Sequence, residues 1–152
     1  MGDRATVEIW ECAAAPKSEE RPVVLYSHWN GSTLRQQVIN AMKRGHSRWN
    51  DPAYLSRIIF CEMLCSDSNP LSGTTGFGIL TDNVVDAHTE IVVDCDRQEV
   101  TIKTIGKEWN ETYTFDEFIL LEGDKRNHKN PDRRDRDNDR RTKTRRKGDD
   151  DE

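Results

Sequence analysis

The feature that most restricts this 152-residue chain is an ending without apolar side chains. From residue 124 to residue 152 there is no apolar residue, while 12 Lys/Arg and 9 Asp/Glu crowd the segment. Such a stretch cannot bury enough surface to offset the entropy of ordering it. Residues 124–152 are therefore expected to form a disordered polyampholyte tail. Everything that can build a core lies in residues 1–123, the expected compact domain. One domain is also the prior for a chain of roughly 100–200 residues.

The same split sorts the charge. Residues 1–123 carry 11 basic and 19 acidic residues, a net of −8, and the tail carries +3. An acidic domain argues against a folded surface that grips nucleic acid through phosphates, because such surfaces need clustered cations. Weak, salt-dependent contact with nucleic acid or an acidic partner is expected only through the tail, at the basic patch from Lys143 to Lys147, and the plainer reading is a solubilising tail. No stretch approaches the ~20 apolar residues of a membrane span. The opening residues lack the apolar stretch of a signal peptide. The expected location is the cytoplasm, with no membrane partner. Cys12, Cys61, Cys65 and Cys95 sit in apolar or half-apolar segments and read as reduced, buried side chains.

Periodicity gives the elements. Thr6-Val7-Glu8-Ile9-Trp10 alternates as a short strand, and Val23-Val24-Leu25-Tyr26 reads as a strand buried on both faces. A helix follows, with a capping-box pattern at Thr33 and Gln36 and an apolar stripe of Leu34, Val38, Ala41 and Met42. Gly45 ends it. Asp51 and Pro52 open a second helix, apolar on nearly every side from Leu55 to Cys65, and so a central core helix. Strands are expected at Phe77-Gly78-Ile79-Leu80, Ile91-Val92-Val93 and Val100-Thr101-Ile102, with a further one between Trp109 and Tyr113. Thr114 and Glu117 repeat the capping pattern before a short last helix. This grouping predicts an α+β fold: a mostly antiparallel sheet with two main helices packed on one face.

Three loops hold the candidate binding residues. The first is His28, Trp29, Asn30, Gly31 and Ser32, between a buried strand and a helix N-terminus. Free backbone N–H groups and the positive end of the helix dipole favour an anion at such a junction. His28 and Asn30 supply hydrogen bonds and Trp29 a flat stacking surface, as a phosphate with an attached base requires. The plainer reading is a tight Asn-Gly turn whose Trp plugs the core. The second loop includes Thr75 and Gly76, whose hydroxyl and glycine could wrap a phosphate, although the Lys and spacing of a P-loop are absent. The third is Arg48 beside Trp49, suited to a phosphate and a base, although the plainer reading is a solvated Arg and a Trp that packs the next helix.

Catalytic sets are incomplete. Cys61 and Cys65 stand at i, i+4 and could offer two ligands, but a zinc site needs four, so no metal is expected. No cofactor is called for. His28 with Asp94 could serve a hydrolase only if the fold brings them within hydrogen-bond reach or one water apart.

From Val24 to Gly31, with Tyr26-Ser27-His28-Trp29-Asn30-Gly31 at its centre, the chain resembles a group of small uncharacterised proteins of phages, prophages and their prokaryotic hosts. The resemblance continues through Gly45 to Asp51, Tyr54 to Ile59, Thr75 to Ile79 and Ile91 to Asp94, and covers roughly residues 23–120. It implies a viral or mobile-element setting. The group has no established activity, so no catalytic residue comes with it. Three readings follow: capture of a nucleotide-like or phosphorylated ligand without turnover; docking of a viral or host protein with the tail as tether; or hydrolysis using His28 and Asp94. The missing acid–base–nucleophile set places binding ahead of catalysis.

Overall fold

The computed structural model describes residues 2–67, 69–73, 76–83 and 85–121. The expectations for Thr75 and for the tail lie outside the described residues. Six strands form one sheet: β1 (Ala5–Trp10), β2 (Val23–Ser27), β3 (Phe77–Leu80), β4 (Thr89–Asp94), β5 (Glu99–Thr104) and β6 (Glu111–Thr114). Helices α1 (Gly31–Arg44) and α2 (Pro52–Leu64) stand between β2 and β3, joined through a 3-10 turn at His46–Arg48. A short α3 (Phe115–Ile119) follows β6. The strand order is β3-β2-β1-β4-β5-β6. Neighbours are antiparallel except β1 and β4, which run parallel. The mostly antiparallel α+β sheet read from the sequence is the one observed.

Alternation along each strand selects the core face. Val7 stands beside Leu25 and Ile91, and Ile9 beside Val93. Ile91 and Val93 continue to Ile102 and Val100. All are buried, with Leu34, Val38, Ile39 and Met42 of α1 and Leu55, Ile59 and Met63 of α2 in the same cluster. The stripe predicted for α1 is therefore its core face, with Ile39 added.

Helix α2 departs from its expectation. Ala53, Tyr54, Arg57, Cys61 and Cys65 form an exposed stripe. Cys61 and Cys65, expected to be buried, are on the surface, and only Cys95 is buried among the four cysteines. The physical reason is the layer count: a helix on one side of a sheet has no third layer to cover its far face.

Two of the three side-chain helix caps expected from the sequence form. Asp51 accepts from the Tyr54 backbone N–H with Pro52 at the first helical position, and Thr114 and Glu117 close a capping box on α3. The box expected for Thr33 and Gln36 does not form. Helix α1 begins two residues earlier, and Thr33 Oγ1 donates to Asn30 O instead (3.1 Å). Gly45 does end α1, but at φ −90° rather than in the left-handed region. Its lack of a side chain matters for packing, since a Cβ there would stand 3.1 Å from Ala41 O and 3.2 Å from Ile58 Cδ1.

The second sheet face is partly covered as well. Thr6 and Val24 point away from the helices, yet both are wholly buried. The connection from β3 to β4 must pass β2 and β1, and Asn83 within it donates to Glu8 (2.5 Å). Among the described residues no helix is long and apolar enough to cross a membrane.

Two outcomes test this arrangement. Burial, and then the neighbouring Asp94 charge, push the Cys95 thiol up to about 12. Treating the native protein with a thiol-reactive disulfide near pH 8 should label Cys61 and Cys65 fast, and Cys95 only after unfolding. Fast labelling of Cys95, mapped by mass spectrometry, would contradict its burial. Separately, Glu111 accepts from Lys107 Nζ (2.6 Å) and Tyr113 Oη (3.0 Å). The Lys107 hydrogen bond above all, assisted by Tyr113 and opposed by partial burial, holds the carboxyl below its ordinary value. A folded value below the unfolded one gives stability that is complete above about pH 4.5 and lost as pH falls through the folded value. Glu111→Gln should therefore lose less Tm than the parent between about pH 5 and about pH 3. Parallel Tm profiles for the two proteins would refute the linkage.

Candidate functional site

The His28 loop is built by the end of β2. Ser27 is buried, and its Oγ accepts the Asn30 backbone N–H (3.1 Å), which turns the chain toward α1. The His28 backbone N–H donates to Gly76 O (2.9 Å), tying the loop to the entrance of β3. Gly76 is needed twice over. Its φ is +75°, and a Cβ would stand 2.4 Å from the Trp29 ring. Trp29 thus lies directly on Gly76, 59% exposed. The His28 ring meets Trp29 edge-on at 4.6 Å. Its Nδ1 shares a hydrogen bond of 2.5 Å with the Tyr26 hydroxyl. With Tyr26 as donor, Nε2 carries the ring proton.

The N-terminus of α1, where an anion was expected, has its own carboxylate. Ser32 N donates to Asp3 Oδ2 (2.6 Å), and Gly31 N to Asp3 O (2.9 Å). Gly31 is packed so closely that a Cβ would lie 2.6 Å from Asp3 Oδ1. The donors that sequence reasoning offered to a phosphate are engaged by the chain itself. Asp3 was missed because nothing local links it to a residue 29 positions away; a lone acid before a strand gives no cap signal.

The three candidate loops do not form one site. His28, Trp29, Asn30, Gly31, Ser32 and Gly76 come together at one end of α1. Arg48 and Trp49 lie beyond its other end, about 20 Å away along a 14-residue helix. Trp49 is 5% exposed, with Nε1–H donating to Met42 O (2.9 Å) and its ring edge-on to Phe115 at 5.2 Å. It is a core wedge, correcting its expected role in stacking a ligand. Arg48 instead covers Tyr54, 4.4 Å from the ring centroid.

The pairing of His28 with Asp94 also fails. His28 follows Ser27, which stands beside Ala5, whereas Asp94 stands beside Trp10 at the opposite end of β1. Six strand residues separate them by nearly 20 Å. Asp94 is committed elsewhere: Oδ2 accepts from the backbone N–H of Ala13 (2.9 Å) and Ala14 (3.2 Å), and Oδ1 from that of Arg97 (2.9 Å). It organises the β4–β5 turn and the start of the β1–β2 loop. Cys61 and Cys65 share the exposed stripe of α2, and among the described residues no group of three potential ligands assembles around a metal position.

Two features escaped sequence reasoning besides Asp3. A shallow cleft of about 250 Å³ lies between the β3–β4 connection and β5, lined by Asp86, His88, Glu90 and Lys103. Strand β3, at one edge of the sheet, leaves Ile79 61% exposed on the helix side, with exposed Trp29 over Gly76 at the strand's entrance. The β3 run was read as a strand, but its place at the edge follows only from the topology. No known protein family, curated protein or solved structure matches this chain.

Because Asp3 caps α1 from outside the helix, Asp3→Ala should lower stability by about 1 kcal/mol, seen as a fall in Tm. Asp3→Asn, which keeps an acceptor oxygen, should lose less. An unchanged Tm in Asp3→Ala would show that the contact contributes nothing.

Proposed function

We propose that this domain is a protein-interaction module that receives an extended, apolar segment of a partner along the β3 edge. One observation carries the reading: β3 is an edge strand with no further strand beyond it among the described residues, and Ile79 and Trp29 stand exposed beside it. An edge offers backbone donors and acceptors to an incoming strand, and flanking apolar side chains give it selectivity. The opposite edge, β6, is instead polar throughout, with Glu111, Thr112, Tyr113 and Thr114. The acidic balance of residues 1–123 favours a neutral or basic partner segment. On the sequence resemblance, the partner is a viral or host protein. A nucleotide-like ligand at the His28 loop is less favoured, because it would have to displace the Asp3 carboxylate from the Ser32 N–H.

The test is a displayed library of random extended peptides, selected on the full-length protein. Recovered sequences should place apolar residues at alternate positions, and binding should protect from hydrogen exchange those β3 amides, every second one, that face away from β2. Ile79→Lys should weaken binding at least about tenfold without changing Tm, since a charge on an edge strand blocks pairing. Peptides that bind Ile79→Lys as well as the parent would sink the proposal, as would a selection that yields none. A thermal-shift screen with linear and cyclic nucleotides provides the contrast. A saturating nucleotide, at about 100 times its Kd, would add about 2.7 kcal/mol, and such a shift would restore the ligand reading.

A further inference from the structure

Charge in the folded part is segregated rather than spread. Residues 31–66, which hold α1 and α2, carry five cations and two acids. The rest of residues 1–123 carries six cations and 17 acids. The fold then draws three of those five cations together from three different elements. Arg44, at the end of α1, crosses to α2, pairing with Glu62 and donating to Ile58 O (3.5 Å). Arg48, from the 3-10 turn, lies over the Tyr54 ring at 4.4 Å, and Arg57 of α2 stands 5.9 Å from the same centroid. All three arginines are exposed, and Tyr54 is 48% exposed. The acids of this corner are Glu62 and Asp51, the latter 3.7 Å from Arg48 and too distant for a strong hydrogen bond. Among the described residues Arg57 has no acid within ion-pair distance.

We propose that this corner, Arg48 and Arg57 around Tyr54 with Arg44 reaching Ile58 on the same helix, binds single-stranded nucleic acid. Guanidinium forks match phosphate oxygens, and an arginine stacked on an aromatic ring presents a flat cationic surface to an unpaired base. The corner is short and the surrounding domain is acidic. A flexible single strand can stay on it, whereas a duplex would carry its phosphates over carboxylates. A short acidic peptide would use the guanidiniums but not the stacking surface. The tail adds a second argument for a long polyanion. Residues 133–147 hold nine cations and three acids. The described fold ends at Leu121, just past α3, whose Phe115 packs on Trp49, the residue next to Arg48. This surface is independent of the β3 edge.

The measurement is fluorescence anisotropy of a labelled thymidine or uridine homopolymer, about 30 nucleotides long, with the full-length protein across a salt series. The double variant Arg48→Ala with Arg57→Ala should bind at least about tenfold more weakly near 50 mM salt. Its slope of log K against log salt should be shallower by about 1.4, as expected for two lost phosphate contacts on a single strand. Tyr54→Ala should weaken binding several-fold with the slope unchanged, and Arg48→Lys with Arg57→Lys should also keep the slope. Circular dichroism checks that each variant is folded, and Ile79→Lys should bind the strand like the parent. Absence of binding by the parent overturns the proposal. So does a double alanine variant that binds like the parent, because the tail alone would then suffice. A duplex bound as tightly as the single strand, or equal competition by oligoglutamate, overturns the single-strand assignment.

Discussion

The structure depends on the burial of β1 from every side. It pairs antiparallel with β2 and parallel with β4, so its backbone hydrogen bonds are made on both edges. Its alternate side chains then face two different coverings. Ala5, Val7 and Ile9 join the core cluster with α1 and α2, while Thr6 is buried on the other face. A strand in this position tolerates no slip, because a shift of one residue would send Val7 and Ile9 outward and Glu8 into the core. Both ends of the strand are also anchored. Arg4 O accepts the His88 backbone N–H (2.9 Å), and Trp10 O accepts that of Cys95 (3.1 Å).

From that anchored strand the N-terminal residues reach α1. Asp3, two positions before β1, closes the helix N-terminus and so joins the sheet to the helix layer. The far end of α1 is fixed by apolar packing rather than by charge, with Trp49 wedged between Met42 and Phe115. The two ends differ in kind. One is a satisfied turn that leaves Trp29 exposed at the β3 edge, and the other is a packed joint that leaves arginines on the outside. A helix of about 20 Å holds the two ends apart.

The polar side chains considered for chemistry are tied into the fold. His28 is engaged by Tyr26, and Asp94 accepts three backbone N–H groups at the opposite end of β1. Exposed apolar side chains, Trp29 and Ile79, stand at one end, and Arg57 beside Tyr54 at the other.

The sequence by itself determined the elements, and for a local reason. Asp51-Pro52 and the Thr114-Glu117 pair act within one helical turn, and the α1 stripe and strand alternation are periodicities that the backbone repeats at fixed spacing. The absence of apolar residues after position 123 likewise set where a core could be built. Only the tertiary structure decided what those elements do to each other. Asp3 took the helix N-terminus that Thr33 and Gln36 had seemed to cap. Layer number exposed Cys61 and Cys65, packing turned Trp49 inward, and strand order placed Ile79 at an edge. The net acidity of the domain concealed a cationic corner assembled from Arg44, Arg48 and Arg57. Each of these depends on which residues meet across long stretches of chain, and local periodicity carries no information about that.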